Sequence, residues 1–273
     1  MRARRGPDPA AQAAEEGAAP GAQAHQAGGR RGHQAPEGAR WGPPAHPQGH
    51  RPVPRPARPA RGEGPLSTAS GQRVRALVVD VDGVLRRWDP AEWAGAEARA
   101  GVPRGSLYRA AFDRPALRAV VTGRTTDEQW REGTAERIAH AHGVGLDAAR
   151  DVVASWSASA GEVDRGVLEL IREQRRTRRV VLLSNATDRL DADLARLGVE
   201  DEVDGVYATW RIGVAKPDPA VYQHVADDLG LPTSACAFVD DSPKHVEGAR
   251  AAGMVAHLFT GADDLRVFLA SLG

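Results

Sequence analysis

Two aspartates, Asp80 and Asp82, close a short apolar run, Ala76 to Val79, and Gly83 follows them. The run is rich in β-branched residues and apolar on both sides of its period, as a strand buried on both faces of a parallel sheet is. Carboxylates at i and i+2 leave such a strand on one side, one pleat apart. Two acids held there, with no cation between them in sequence, call for a metal ion or a shared proton. Three more polar sites end apolar stretches: Ser184-Asn185, Lys216 in Val-Ala-Lys-Pro-Asp-Pro, and Asp240-Asp241. In open α/β sheets the carboxyl ends of the strands meet on one edge, where ligands bind. Gathered there, three to four acids, one lysine and a hydroxyl–amide pair suit a phosphoryl group. The paired aspartates offer oxygen ligands to a hard divalent cation. That cation and Lys216 would screen phosphate from the carboxylates. Ser184 and the backbone N–H groups after Asp80 can hold phosphoryl oxygens. One aspartate can then attack phosphorus to give an aspartyl phosphate.

These residues need a sheet to bring them together, and the pattern supplies one. From Gly161 strands and helices alternate. The periodicity predicts a helix over Glu162–Arg176 with Val163, Val167, Leu168 and Ile171 on one face, then a buried strand over Arg179–Ser184. A helix over Asp188–Leu197, a strand over Gly205–Thr209 and a helix over Pro219–Leu229 follow. Then come a strand over Ala235–Val239, a helix over Pro243–Ala252, a strand over Met254–Phe259 and a closing helix over Ala262–Leu272. Strands alternating with helices imply right-handed crossovers and a parallel, doubly wound, Rossmann-like sheet.

The segment 88–160 reads differently. Asp89-Pro90 is a helix N-cap with proline at the first helical position, and that helix should run to about Arg99. Gly101 to Pro115 reads as loop or short turns. Thr125-Thr126-Asp127-Glu128 opens a helix toward His142, and Leu146–Ser157 gives another. Four of the six tryptophans (88, 93, 130 and 156) lie here. The segment is expected to be a helical insertion packed over the end of the first strand, dividing the core into 71–87 and 161–273.

At this point the chain resembles the haloacid dehalogenase-like superfamily. Its four motifs are matched in order by Asp80-Val-Asp82-Gly-Val, Leu183-Ser184-Asn185, Lys216-Pro-Asp-Pro and Val239-Asp240-Asp241-Ser-Pro, the last leading into Glu247-Gly-Ala-Arg-Ala-Ala-Gly253. An insertion between the first and second motifs resembles the branch with a small helical cap. Gly123–Trp130 and Lys216–His224 resemble its sugar-phosphate phosphatases. The resemblance implies roles. Asp80 would be the nucleophile and a Mg²⁺ ligand. Asp82 would protonate the leaving oxygen and then deprotonate the attacking water, its backbone carbonyl also binding the metal. Ser184, with Asn185 beside it, would hold phosphoryl oxygens, and Lys216 would pair with Asp80 and the phosphate. Asp241 would be the direct metal ligand, with Asp240 bridged by water or behind it. Dehalogenases of the superfamily lack an acid at position 82, because halide leaves without a proton. Asp82 therefore favours a Mg²⁺-dependent phosphatase acting on a small phosphorylated metabolite. A phosphoglucomutase-like transfer, a dehalogenase and a binding module without catalysis are the alternatives. The superfamily's first-motif loop is commonly small and polar. Here it is Arg86-Arg87-Trp88, a departure where substrate is often touched.

Composition bounds the rest. Residues 1–70 hold 12 of the 19 prolines and 11 of the 30 glycines, with only Met1, Trp41, Val53 and Leu66 as large apolar residues. Such a segment cannot bury enough surface to offset its ordering entropy, so a disordered tail is expected. Its ten arginines against five acids make it basic, and a spacer is the expected role rather than a nucleic-acid arm. The lone Cys236 excludes an intramolecular disulfide and points to a reducing, cytoplasmic compartment. No stretch reads as a membrane span. Oligomeric state is not legible. The arginines 172, 175, 176, 178 and 179 sit at a helix end, where cations oppose the dipole and face water. His224 and His245 read as satisfied helix histidines. Arg104, Tyr108, Arg109 and Arg124 are candidates to meet the remote part of a substrate.

Overall fold

The computed structural model describes residues 73–89 and 91–273, so the tail expected over 1–70 lies outside the described residues. Five parallel strands form one sheet in the order β5-β4-β1-β6-β7. They are β1 (Ala76–Val79), β4 (Arg179–Ser184), β5 (Gly205–Ala208), β6 (Cys236–Asp240) and β7 (Val255–Leu258). The central strand β1 pairs with β4 and β6, its last residue Val79 lying opposite Leu182 and Val239. Every residue of β1 is buried, and successive side chains go to opposite cores. Leu77 and Val79 pack with α6 (Arg165–Gln174), α7 (Leu190–Leu197) and α11 (Ala262–Ser271). Ala76 and Val78 pack with α9 (Pro219–Asp228) and α10 (Pro243–Ala251). Helices on both faces explain why the strands read as continuous apolar runs rather than alternating ones.

A two-stranded antiparallel ribbon, β2 (Arg86–Arg87) with β3 (Glu162–Val163), brackets the inserted helices. These are α1 (Ala91–Arg99), α2 (Ser106–Ala111), α3 (Arg114–Val121), α4 (Asp127–His142) and α5 (Leu146–Ser157). They have apolar cores of their own. Ala96, Leu107, Ile138, Val152 and Val153 form one cluster, and Val120, Val121 and Trp130 form another. The buried Glu97 ties two of them by accepting from the Gly105 and Leu107 amides at 3.0 and 2.9 Å.

Three elements differ from the sequence reading. The expected loop over 101–115 contains α2 and the start of α3. Asp113 caps α3 by accepting from the Ala116 amide, with Pro115 in the first turn. The helix expected over Glu162–Arg176 starts at Arg165, because Val163 pairs with Arg86 in the ribbon and Asp164 is the N-cap. A short helix α8 (Thr209–Ile212) follows β5, where only a strand end was expected. Other boundaries shift by one or two residues.

Candidate active site

The parallel register sets the ends of β1 and β6 side by side, and the Asp80 amide donates to the Val239 carbonyl at 2.9 Å. Asp80 and Asp240 therefore lie across one strand gap, both buried. Lys216 Nζ stands between them, 2.8 Å from Asp80 Oδ1 and 2.6 Å from Asp240 Oδ2. The ammonium also lies 5.5 Å from the centre of the Phe238 ring. Burial alone would push Lys216 down, but the two carboxylates outweigh it and hold the ammonium up. Burial pushes the Asp80 carboxyl well up against the pull of Lys216, and the Asp240 charge adds to the rise. Asp240 goes the other way: against burial, Lys216 and His245 hold it below the usual carboxylate range. One charge of each sign is thus favoured in the buried pocket, with the second acid costly to ionise there.

The backbone is shaped to hold this arrangement. Val81 donates its amide to Asp80 Oδ1 at 2.7 Å, and Ser242 donates its amide to Asp240 Oδ1 at 2.8 Å. Asn185, expected among the phosphate-holding residues, instead spends both ends of its amide on the Lys216 backbone. Its Nδ2 donates to the Lys216 carbonyl at 3.0 Å, and its Oδ1 accepts from the Lys216 amide at 2.9 Å. The second motif thus positions the lysine of the third. Ser184 is buried at the end of β4, and no hydrogen bond occupies its hydroxyl among the described residues. Gly248 of α10 lies against the Pro217 carbonyl, where any Cβ would overlap.

Asp241 sits at the edge of the pocket. Its carboxylate lies over Gly83, where a Cβ would overlap it, and Gly83 has φ +86°. Burial and the charge of Asp240 push the Asp241 carboxyl up to about 6. It forms no ion pair among the described residues. The donors here are carboxylate oxygens, the hard set that suits Mg²⁺. A carboxylate raised by a neighbouring negative charge is one that a divalent cation would relieve, so these residues fit that ion. Asp80, Asp240 and His245 also bring ligand atoms within 4.8 Å of one another. There, however, Lys216 already lies between the two acids.

Asp82 takes its hydrogen bonds from outside this cluster. Its Oδ1 accepts from Arg86 Nε at 2.8 Å and from Trp88 Nε1 at 2.7 Å, while Oδ2 accepts from Arg86 Nη2 at 3.0 Å. Burial would raise the Asp82 carboxyl, but the guanidinium outweighs it and holds it low. Sequence reasoning flagged Arg86 and Trp88 as a departure without assigning them a partner. Their spacing, four and six residues after the acid, was the available signal. His245 is satisfied as expected, but its partner is a site residue: Nδ1 lies 3.0 Å from Asp240 Oδ1. His224 packs edge-on to Tyr207 instead. Of the arginine run, Arg172 pairs with Glu202 and Arg175 with Asp204, while Arg178 donates to the Gly273 carbonyl. Of the remote-contact candidates, Arg109 bonds Ser106 and Arg124 is exposed.

The inserted helices meet the core beside the second motif. The Asp127 amide donates to Asp188 at 2.9 Å, and Thr187 donates to the Asp127 carboxylate at 2.9 Å. Thr209 donates to the Val121 carbonyl at 2.7 Å, and Gly123 lies against the Trp210 backbone.

A family model described as haloacid dehalogenase-like hydrolase matches residues 74–253. A phosphatase from Mycobacterium tuberculosis is 52% identical over 60 residues, which cover 22% of this chain and 28% of that protein. The bifunctional epoxide hydrolase 2 of Sus scrofa is 27% identical over 209 residues, 70% of this chain and 37% of that protein. The chain thus spans about a third of the length of the curated relatives it matches. A magnesium complex of a haloacid dehalogenase-family enzyme from Bacteroides thetaiotaomicron shares the fold. Its TM-score is 0.58 at 23% identity, over 71% of this chain and 98% of that one. A dehalogenase with an intermediate complex has TM-score 0.60 at 18% identity, over 72% of this chain and 97% of that one. No helix among the described residues is long and apolar enough to cross a membrane. With its motifs in order at the ends of β1, β4 and β6, and the match running from the first motif past the last, the chain belongs to the haloacid dehalogenase-like hydrolase family.

Proposed function

We propose that this chain is a Mg²⁺-dependent phosphatase that hydrolyses a small phosphomonoester through an aspartyl phosphate on Asp80. The observation that carries the reading is the buried Asp80–Lys216–Asp240 cluster with a second acid, Asp82, two residues beyond the first. An Asp80 oxygen bonds phosphorus as the ester P–O bond breaks, and the leaving oxygen takes the proton that Asp82 must carry against the hold of Arg86. Water then gives a proton to Asp82 and attacks phosphorus, which breaks the bond to Asp80 and frees phosphate. Lys216 and the Ser184 hydroxyl hold the non-bridging oxygens, while Asn185 keeps the lysine in place. Mg²⁺ held by Asp80, the Asp82 carbonyl and Asp241, with Asp240 behind, would supply charge neutralisation to the phosphoryl oxygens.

The phosphatase among the relatives supports the reaction class, and the magnesium complex of a structural neighbour supports the ion. The dehalogenase neighbours share the fold, but a leaving halide needs no acid at position 82. The helices over 91–157 serve as the cap, since α4 docks on Thr187 and Asp188 just beyond the second motif. A small phosphorylated metabolite is the substrate class. A reducing cytoplasm suits a lone cysteine buried in β6 with its thiol pushed up to about 11. The test is phosphate release from a broad panel of small phosphomonoesters by the full chain, with Mg²⁺ and with chelator. Release that needs the metal is expected. Metal-independent release, or none from any ester, would overturn the reading.

A further inference from the structure

Asp82 is not held by the residues around Asp80. Arg86 lies in the ribbon strand β2, and only 5% of it is exposed. Its guanidinium forks onto both Asp82 oxygens and lies 4.7 Å from the Trp88 ring centre, while the Trp88 indole N–H donates to the same carboxylate. The third guanidinium nitrogen goes the other way. Arg86 Nη1 bonds Asp193 Oδ2 at 3.2 Å, and Asp193, on α7, is 6% exposed. Asp193 Oδ1 accepts from Arg189 Nε at 3.0 Å. Arg189 Nη2 reaches the carbonyls of Ser157 and Ser159, at 2.6 and 3.2 Å. An unbroken line of charge-assisted hydrogen bonds thus runs from Asp82 to the segment that returns from α5. Each buried charge in it is paired, as burial demands.

We propose that Arg86 is a positioning residue for Asp82, with Trp88 as its second contact and Asp193 as its anchor. The proposal rests on the phosphatase reading, because it assigns Asp82 the proton that the leaving oxygen takes. A bidentate fork fixes the plane of a carboxylate as well as its place, which a lone ammonium does not. Asp193 fixes the fork in turn, by pulling on the nitrogen that faces away from Asp82. The rotation of Asp82 is thereby set by α7 and by both linkers of the inserted helices rather than by its own turn. Proton donation depends steeply on such placement, and a shift of about an ångström costs on the order of a hundredfold.

The leaving group separates positioning from general stability. Nitrophenolate leaves readily without a proton, whereas an alkoxide needs one. The full chain and its variants Asp193→Asn, Trp88→Phe, Arg86→Lys and Arg86→Gln are assayed with Mg²⁺ on p-nitrophenyl phosphate and on glycerol phosphate. Asp193→Asn keeps the shape but loses the charge that anchors Arg86, and it lies away from the reacting atoms. Trp88→Phe keeps the ring under Arg86 but loses the N–H. Each variant should lose kcat/KM more on the alkyl ester, by about tenfold relative to the aryl ester, and in kcat rather than KM. Arg86→Lys should fall between the wild type and Arg86→Gln. Equal losses on both esters, or none, would overturn the positioning role while leaving the phosphatase reading intact. If Arg86→Gln does not fold, Asp193→Asn and Trp88→Phe decide by the same ratio. Where the wild type turns over neither, an aryl and an alkyl ester that it does hydrolyse take their place, and a wild type inactive on every ester of the broad panel would overturn the phosphatase reading and this role with it.

Discussion

Asp241 is the residue whose environment asks most clearly for a cation. Burial and the Asp240 charge lift its carboxyl from the ordinary 3.8 to about 6. A raised folded-state value means that the folded chain holds this proton more tightly than the unfolded one. Below about pH 4 both states are protonated and the site costs nothing. Between about pH 4 and 6 the unfolded chain ionises first, so this site's contribution to stability falls as pH rises; above that it levels off at a cost of at most about 3 kcal/mol. Asp241→Asn cannot ionise. Without divalent ion, it should therefore be more stable than the wild type at pH 7, and the gain should vanish near pH 4. Urea melts at the two pH values measure this, and a variant less stable at pH 7 would contradict it. Lys216 has the opposite balance, because its removal leaves two buried acids without a cation. Lys216→Met should lower stability by about 3–5 kcal/mol and remove activity, read by urea melts and phosphate release.

The strand that ends in Asp80 was legible because each of its signals agreed: an apolar run, two acids and a glycine. The parallel order of the other strands followed from alternation with helices. Ribbon β2–β3 was not legible, since two residues per strand give no period to read and Arg86 looks like a surface residue in sequence. Its burial comes from pairing with Asp82 and Asp193, the second of which is 107 residues away. His245 was read as an ordinary helix residue, because nothing local reveals that the turn after β6 aims it back at Asp240. Asn185 was legible as a site residue, but its partner is the backbone of a loop 31 residues on. Two consequences belong to this scale. Gly83→Ala would strain a left-handed turn and displace the Asp241 carboxylate. It should weaken Mg²⁺ binding by about tenfold or more, read by titration calorimetry. Thr126 caps α4 in a reciprocal capping box with Gln129, just before the residue that docks on the second motif. Thr126→Ala should cost about 1 kcal/mol in a chemical melt.

For the whole molecule, the site draws on residues from 80 to 245, all within the unit that spans Ser70–Gly273. A chain beginning at residue 71 should therefore keep the kcat/KM of the full chain within about twofold, since it retains every site residue. The inserted helices touch the core at the ribbon, at Thr187 and Asp188 just after the Ser184-Asn185 strand end, and at Thr209 and Trp210 after β5. On the proposed function, substrate choice falls to their surfaces and the chemistry to the sheet edge. The central claim is the covalent step at Asp80. The full chain turned over with p-nitrophenyl phosphate and Mg²⁺ should, after acid quench, carry phosphate on Asp80 in the peptide mass spectrum. Asp80→Asn should carry none and release none. Undiminished phosphate release by Asp80→Asn, or a phosphate found on another residue, would contradict the account.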